Sequence, residues 1–129
     1  MKKYILIDDE EIFNFIQSEV IQLHDPSNEV IMFASGIEAL SYLNNLITQN
    51  QNLPDYILLD IRMPNMNGFE FLDELMKFDL QVFNKTNIYL LSSSIDERDI
   101  KKLRNYPFVK GFKGKPLSEE IIIEINKAE

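Results

Sequence analysis

Cysteine is absent from the 129 residues, which excludes disulfides, thiolate metal sites and cysteine nucleophiles together. Positive charge is scarce: 13 lysines and arginines stand against 21 aspartates and glutamates, a net charge of −8. A field of that sign argues against direct nucleic-acid binding and against an anionic membrane surface. No apolar run is long enough for a signal peptide at the start or for a membrane span anywhere, so the expected location is the cytoplasm. No internal repeat or low-complexity tract stands out. What the chain does have is 45% apolar residues, enough for one domain, 1–129, with a core of its own.

The apolar residues fall into short runs at Tyr4 to Ile7, Val30 to Phe33, Tyr56 to Leu59, Ile88 to Leu91 and Phe108 to Val109. The first four lack in/out alternation, the pattern of strands covered on both faces in a parallel sheet. Between them lie stripes at helical spacing: Ile12, Phe13, Ile16, Val20 and Leu23, then Ile37, Leu40, Leu43 and Ile47, then Phe69, Leu72, Leu75 and Met76. A weaker stripe at Ile100 and Leu103 and a last one at Ile121, Ile122 and Ile125 complete five strand–helix units. The expected fold is α/β, a doubly wound five-stranded parallel sheet with right-handed crossovers. Residues 48–54, polar and ended by Pro54, read as a loop rather than a domain linker. The sequence runs out after the fifth helical stripe, so the expectation is a domain that acts by contact rather than through an attached output domain.

Ligands of open α/β sheets bind beyond the carboxyl ends of the strands. Reading just past each strand gives Asp8-Asp9-Glu10-Glu11, Asp60, Ser92-Ser93-Ser94 and Lys113-Gly114-Lys115-Pro116. Each has a plain structural explanation. The acidic run and the serines would cap helices, Lys115 would be a solvated turn lysine, and Asn65 and Asn67 beside Gly68 would be turn residues. Asp60 resists such a reading, because it closes a run of buried-type residues where an unpaired charge is costly. Unrelated capping also explains poorly why all four groups arrive at one edge. Asp8, Asp9 and Asp60 held together repel one another and invite a divalent cation. An all-oxygen set with few protein ligands suits Mg²⁺ better than Ca²⁺. An aspartate in such a site can attack a phosphoryl group to give an acyl phosphate, with the metal and a lysine neutralising the oxygens.

Taken in order, these residues resemble the response-regulator receiver domain of two-component signalling. The resemblance rests on the Asp8-Asp9 pair, Asp60, Met63-Pro64, Gly68, Ser92 and Lys115-Pro116, and covers essentially the whole chain. It implies a (βα)5 flavodoxin-like sheet of strand order 2-1-3-4-5, in which Asp60 accepts the phosphoryl group and Asp9 binds Mg²⁺ directly. Asp8 then acts through metal-bound water, and the Arg62 carbonyl completes the ligand set. It also implies Ser92 as the switch hydroxyl, Phe112 as the switch aromatic and Lys115 as the phosphate-pairing lysine, with a cis peptide between Lys115 and Pro116. Arg62 and Ser94 match positions that tune dephosphorylation, so Arg62→Ala is expected to change the phosphoryl lifetime. The donor implied is a sensor histidine kinase or phosphotransfer protein, and the output is a downstream protein partner or a second copy of the chain.

Other functions fit less well. A flavin carrier would share the fold, but Asp8 to Glu11 would repel its phosphate. An aspartyl-phosphate phosphohydrolase would want an acid two places after its nucleophile, where Arg62 stands. A receiver-like module that binds partners without phosphorylation is the remaining alternative. His24, the single histidine, reads as a solvated helix end favoured by the dipole rather than as a phosphorylated group.

Overall fold

The apolar runs become strands because helices cover both faces of the sheet. A computed structural model describes residues 1–94 and 96–128; Ile95 and Glu129, both inside the expected domain, lie outside the described residues. The strands are β1 (Lys3–Ile7), β2 (Glu29–Phe33), β3 (Tyr56–Asp60), β4 (Asn87–Ser92) and β5 (Val109–Gly114). They alternate with α1 (Glu11–His24), α2 (Gly36–Thr48), α3 (Gly68–Leu75), α4 (Glu97–Leu103) and α5 (Glu119–Lys127). A 3-10 turn at Leu80–Phe83, not foreseen in the sequence, sits between α3 and β4. All pairings are parallel, in the order β2-β1-β3-β4-β5, the doubly wound sheet that the sequence predicts.

Alternate strand residues feed two cores. Ile5, Ile7, Ile57, Leu59, Ile88 and Leu90 pack with Ala39, Leu43, Phe71, Leu72 and Leu75 under α2 and α3. Tyr4, Leu6, Tyr56, Leu58, Tyr89 and Leu91 pack with Ile21, Ile122 and Ile125 under α1 and α5. The rings of Tyr4 and Tyr56, on neighbouring strands, stack at 4.6 Å between centroids. No helix among the described residues is long and apolar enough to cross a membrane.

Several sequence expectations need correction. The α1 stripe is not the buried face: Ile12, Ile16 and Leu23 are exposed, whereas Asn14, Gln17, Ser18 and Ile21 are buried. The helix is turned so that Asn14 Nδ2 can donate to the carbonyls of Asp8 and Phe33, at 2.9 and 3.1 Å, closing the ends of β1 and β2. Ile37 of α2, Met76 after α3 and Ile100 of α4 are exposed too. As an edge strand, β2 leaves Glu29 and Met32 open on one side. The fifth strand lies later than Phe108-Val109, over residues whose Lys and Gly content hides it. Asn67 caps α3 in a reciprocal pair with Glu70 rather than merely turning the chain, whereas Asn65 does adopt a turn conformation, with φ 68°. His24 is half-buried, its Nε2 3.4 Å from Asn126 Nδ2, rather than fully solvated.

Gly68 fixes the geometry of the third strand's end. Its N–H donates to the Ile61 carbonyl at 2.9 Å. A Cβ there would stand 2.9 Å from the Asp60 carbonyl oxygen and 3.0 Å from Ile61 Cα, both rigid backbone. Gly68→Ala should therefore cost about 1–3 kcal/mol, seen as a lower urea midpoint with an unchanged slope.

Candidate functional site

Parallel register brings four strand ends to one edge. Ile7 pairs with Leu59, so Asp8 follows β1 at the level where Asp60 ends β3. Ser92 ends β4 beside Gly114, and the Lys115 N–H donates to the Ser92 carbonyl at 3.0 Å. The Lys115–Pro116 peptide that follows is cis.

Three carboxylates meet there. Oxygens of Asp8, Asp9 and Asp60 lie within 4.8 Å of one another, with Asp8 and Asp60 buried and Asp9 open to solvent. Asp8 Oδ1 accepts from the Glu10 N–H at 2.9 Å. Its Oδ2 lies 2.7 Å from Lys115 Nζ. That contact is a buried, charge-assisted ion pair. Lys115 Nζ also lies 3.4 Å from Asp60 Oδ1, and only 4% of its side chain is exposed. The ammonium sits 4.2 Å from the centroid of the Phe13 ring, which roofs it from α1.

The electrostatics follow from this crowding. Burial, reinforced by the Asp8 charge, pushes Asp60 up to about 6 despite the opposing pull of Lys115. Burial pulls Lys115 down, but its contacts with Asp8 and Asp60 outweigh this and hold it above the usual lysine value. One cation is therefore shared between two buried carboxylates. An oxygen-only set with three carboxylates and a solvent-facing member fits a small, hard divalent ion.

The remaining predicted residues lie around this edge without converging on Asp60. The buried Ser92 hydroxyl donates to the Ser94 carbonyl at 2.6 Å and accepts from the Ser94 N–H at 3.2 Å, so it is turned onto its own loop. The serines do not cap the fourth helix; Asp96 does, accepting from the N–H groups of Arg98 and Asp99. The side chain of Arg62 runs to α4, where it donates to Asp99 Oδ2 at 2.7 Å. Phe112 is half-buried and packs against the core under α2 and α3. Sequence reasoning missed Phe13, Asn14 and Asp99. Phe13 was counted as core stripe, and nothing local marks the other two, whose partners are brought by the fold.

The comparisons with known proteins agree with this architecture. The family model described as the response regulator receiver domain matches residues 4–125. A two component response regulator from Cytophaga hutchinsonii superposes with a TM-score of 0.88 at 32% identity, over 98% of this chain and 94% of that one. The chemotaxis protein CheY4 of Vibrio cholerae superposes with a TM-score of 0.78 at 25% identity, over 99% and 98%. The transcriptional regulatory protein HptR of Staphylococcus aureus is 34% identical over 97 residues, which is 74% of this chain and 34% of HptR. An uncharacterized response regulatory protein of Staphylococcus epidermidis is 33% identical over 103 residues, 36% of its length. The chain thus spans about a third of the curated relatives it matches. With the family match running from β1 into α5, the chain belongs to the response regulator receiver domain family.

Proposed function

We propose that this domain takes a phosphoryl group onto Asp60 from a phosphohistidine donor and uses it to change the surface offered to a protein partner. The observation that carries the reading is the convergence of Asp8, Asp9 and Asp60 with buried Lys115 at one sheet edge. In the forward step an Asp60 carboxylate oxygen bonds to phosphorus as the phosphorus–nitrogen bond of the donor breaks. The electron pair stays on the imidazole nitrogen, which takes up a proton. Asp8, Asp9, Asp60 and the Arg62 carbonyl would hold Mg²⁺, which supplies positive charge opposite the phosphoryl oxygens. Lys115 pairs with those oxygens in place of the Asp60 carboxylate it now holds. A donor kinase or phosphotransfer protein and a cytoplasmic setting follow from the same reading.

Ser92 would supply the switch. Its hydroxyl must leave Ser94 to donate to the phosphoryl group, and Phe112 would move inward as it does. Charge-assisted hydrogen bonds contribute roughly 1.5–3 kcal/mol each, and carrying a population from 1:99 to 99:1 needs about 5.5 kcal/mol. Ser92 and Lys115 reach that only at their upper limit. Binding of a downstream partner, or of a second copy of the domain, then completes the shift. Ser92→Ala should accordingly accept the phosphoryl group yet gain little partner affinity from it; equal gains in wild type and variant, measured by titration calorimetry, would refute the coupling.

A direct assay is incubation with acetyl phosphate in Mg²⁺ or in excess chelator, followed by intact mass. Phosphoryl addition in Mg²⁺ and none in chelator is the expected pair. Addition that ignores the metal would overturn the proposed site chemistry.

A further inference from the structure

We propose that Asp99 sets the lifetime of the phosphoryl group on Asp60 by holding the Arg62 guanidinium on α4. The inference rests on the reading of Asp60 as the acceptor and names a positioning residue for the fate of its product. Arg62 lies two residues after Asp60, on the loop from β3 to α3, yet its side chain crosses to the first turn of α4. There Nη2 meets Asp99 Oδ2 at 2.7 Å, with Asp96 Oδ2 farther off at 3.9 Å. Asp96 is already engaged, capping α4 through two N–H groups and lying 3.5 Å from Arg98 Nη2. Asp99 shows no such second employment among the described residues: its carboxylate is 8% exposed, and Arg62 meets it. The pair is lopsided, since the Arg62 side chain is 59% exposed whereas that of Asp99 is buried.

Phosphorylation changes the competition. A phosphoryl group carries up to two negative charges and three acceptor oxygens, a stronger partner for a guanidinium than one carboxylate. Loss of the group requires water to bond to phosphorus while the bond to the Asp60 oxygen breaks. The electron pair returns to the carboxylate, and the water's oxygen leaves in inorganic phosphate with one proton released. A guanidinium drawn onto the phosphoryl oxygens stands in the path of that water. Held on Asp99, it leaves the path open. Asp99 therefore shortens the phosphoryl lifetime without touching the reacting atoms.

The experiment is a double-mutant cycle on phosphoryl decay. Protein is loaded with acetyl phosphate and Mg²⁺, the donor is removed, and the phosphorylated fraction is followed by intact mass. Asp99→Asn should lengthen the half-life about five-fold, the upper range for a partly exposed pair. Arg62→Ala should shorten it, and Asp99→Asn should add nothing in the Arg62→Ala background. Asp99→Glu, which keeps the carboxylate, should decay close to the wild-type rate. Should Asp99→Asn fold poorly, Asp99→Ser carries the same expectation. An Asp99 effect of equal size with and without Arg62 would mark a purely structural role and overturn the proposal. Failure of wild type and every variant alike to take up a phosphoryl group would instead overturn the acceptor reading and this inference with it.

Discussion

Lys115→Met should lower the free energy of unfolding by about 3 kcal/mol in metal-free buffer at neutral pH, the scale of removing one partner from a buried ion pair. The ammonium is 2.7 Å from Asp8 and 3.4 Å from Asp60, and both carboxylates are buried. Methionine keeps an unbranched apolar side chain beneath Phe13, where the ammonium now sits, so the variant removes charge more than volume. The carboxylates of Asp8, Asp9 and Asp60 are then left with one another as nearest charges. Mg²⁺ should return part of the loss, and should stabilise Lys115→Met more than wild type, because the ion takes over the charge that the ammonium supplied. Urea midpoints with and without Mg²⁺ measure both effects. A loss below about 1 kcal/mol, the worth of a surface pair, would mean that the lysine is not the counterion of this cluster.

Asp60→Asn should make the protein more stable, not less, at pH 7.5 in chelator. Asp60 has a folded pKa of about 6 against an ordinary 3.8, so the folded state binds its proton more tightly than the unfolded one. The stability this group contributes is complete below about pH 3.8 and is lost as pH rises through about 6. Two pKa units correspond to a ceiling of about 3 kcal/mol, and asparagine is spared that cost. The advantage of the variant should shrink as pH falls toward 4, where aspartate is neutral as well. Mg²⁺ should reverse the order by stabilising the wild-type cluster. Thermal midpoints of the pair from pH 4 to 8 decide the matter; a difference independent of pH would contradict the charge crowding described for this edge.

Destabilisation at neutral pH is what a site poised for a cation entails, and it bears on what could be read from sequence. The strands were legible because β1, β3 and β4 are covered on both faces and so consist of unbroken apolar runs. The site edge was legible for a related reason, since a charged residue closing such a run is conspicuous, as Asp60 is. The buried face of α1 was not. Ile12, Phe13, Ile16, Val20 and Leu23 offer a convincing stripe, but the helix is set by Asn14 reaching two strand-end carbonyls. A polar residue that satisfies backbone elsewhere outranks apolar periodicity, and the sequence carries no mark of it. The plain capping role open to the serine run is taken elsewhere: the Ser92 hydroxyl folds back onto Ser94, while Asp96 caps the helix. Arg62 could be singled out by position, but its partner stands 37 residues later, so only the fold reveals the pair.

The central claim, that Asp60 accepts the phosphoryl group, is tested most directly by intact mass of wild type and Asp60→Asn treated side by side with acetyl phosphate and Mg²⁺. Wild type should gain the mass of one phosphoryl group, and the gain should disappear on standing as the acyl phosphate hydrolyses. Asp60→Asn should gain nothing. Addition that persists in Asp60→Asn, or no addition to a folded wild type, would contradict the account.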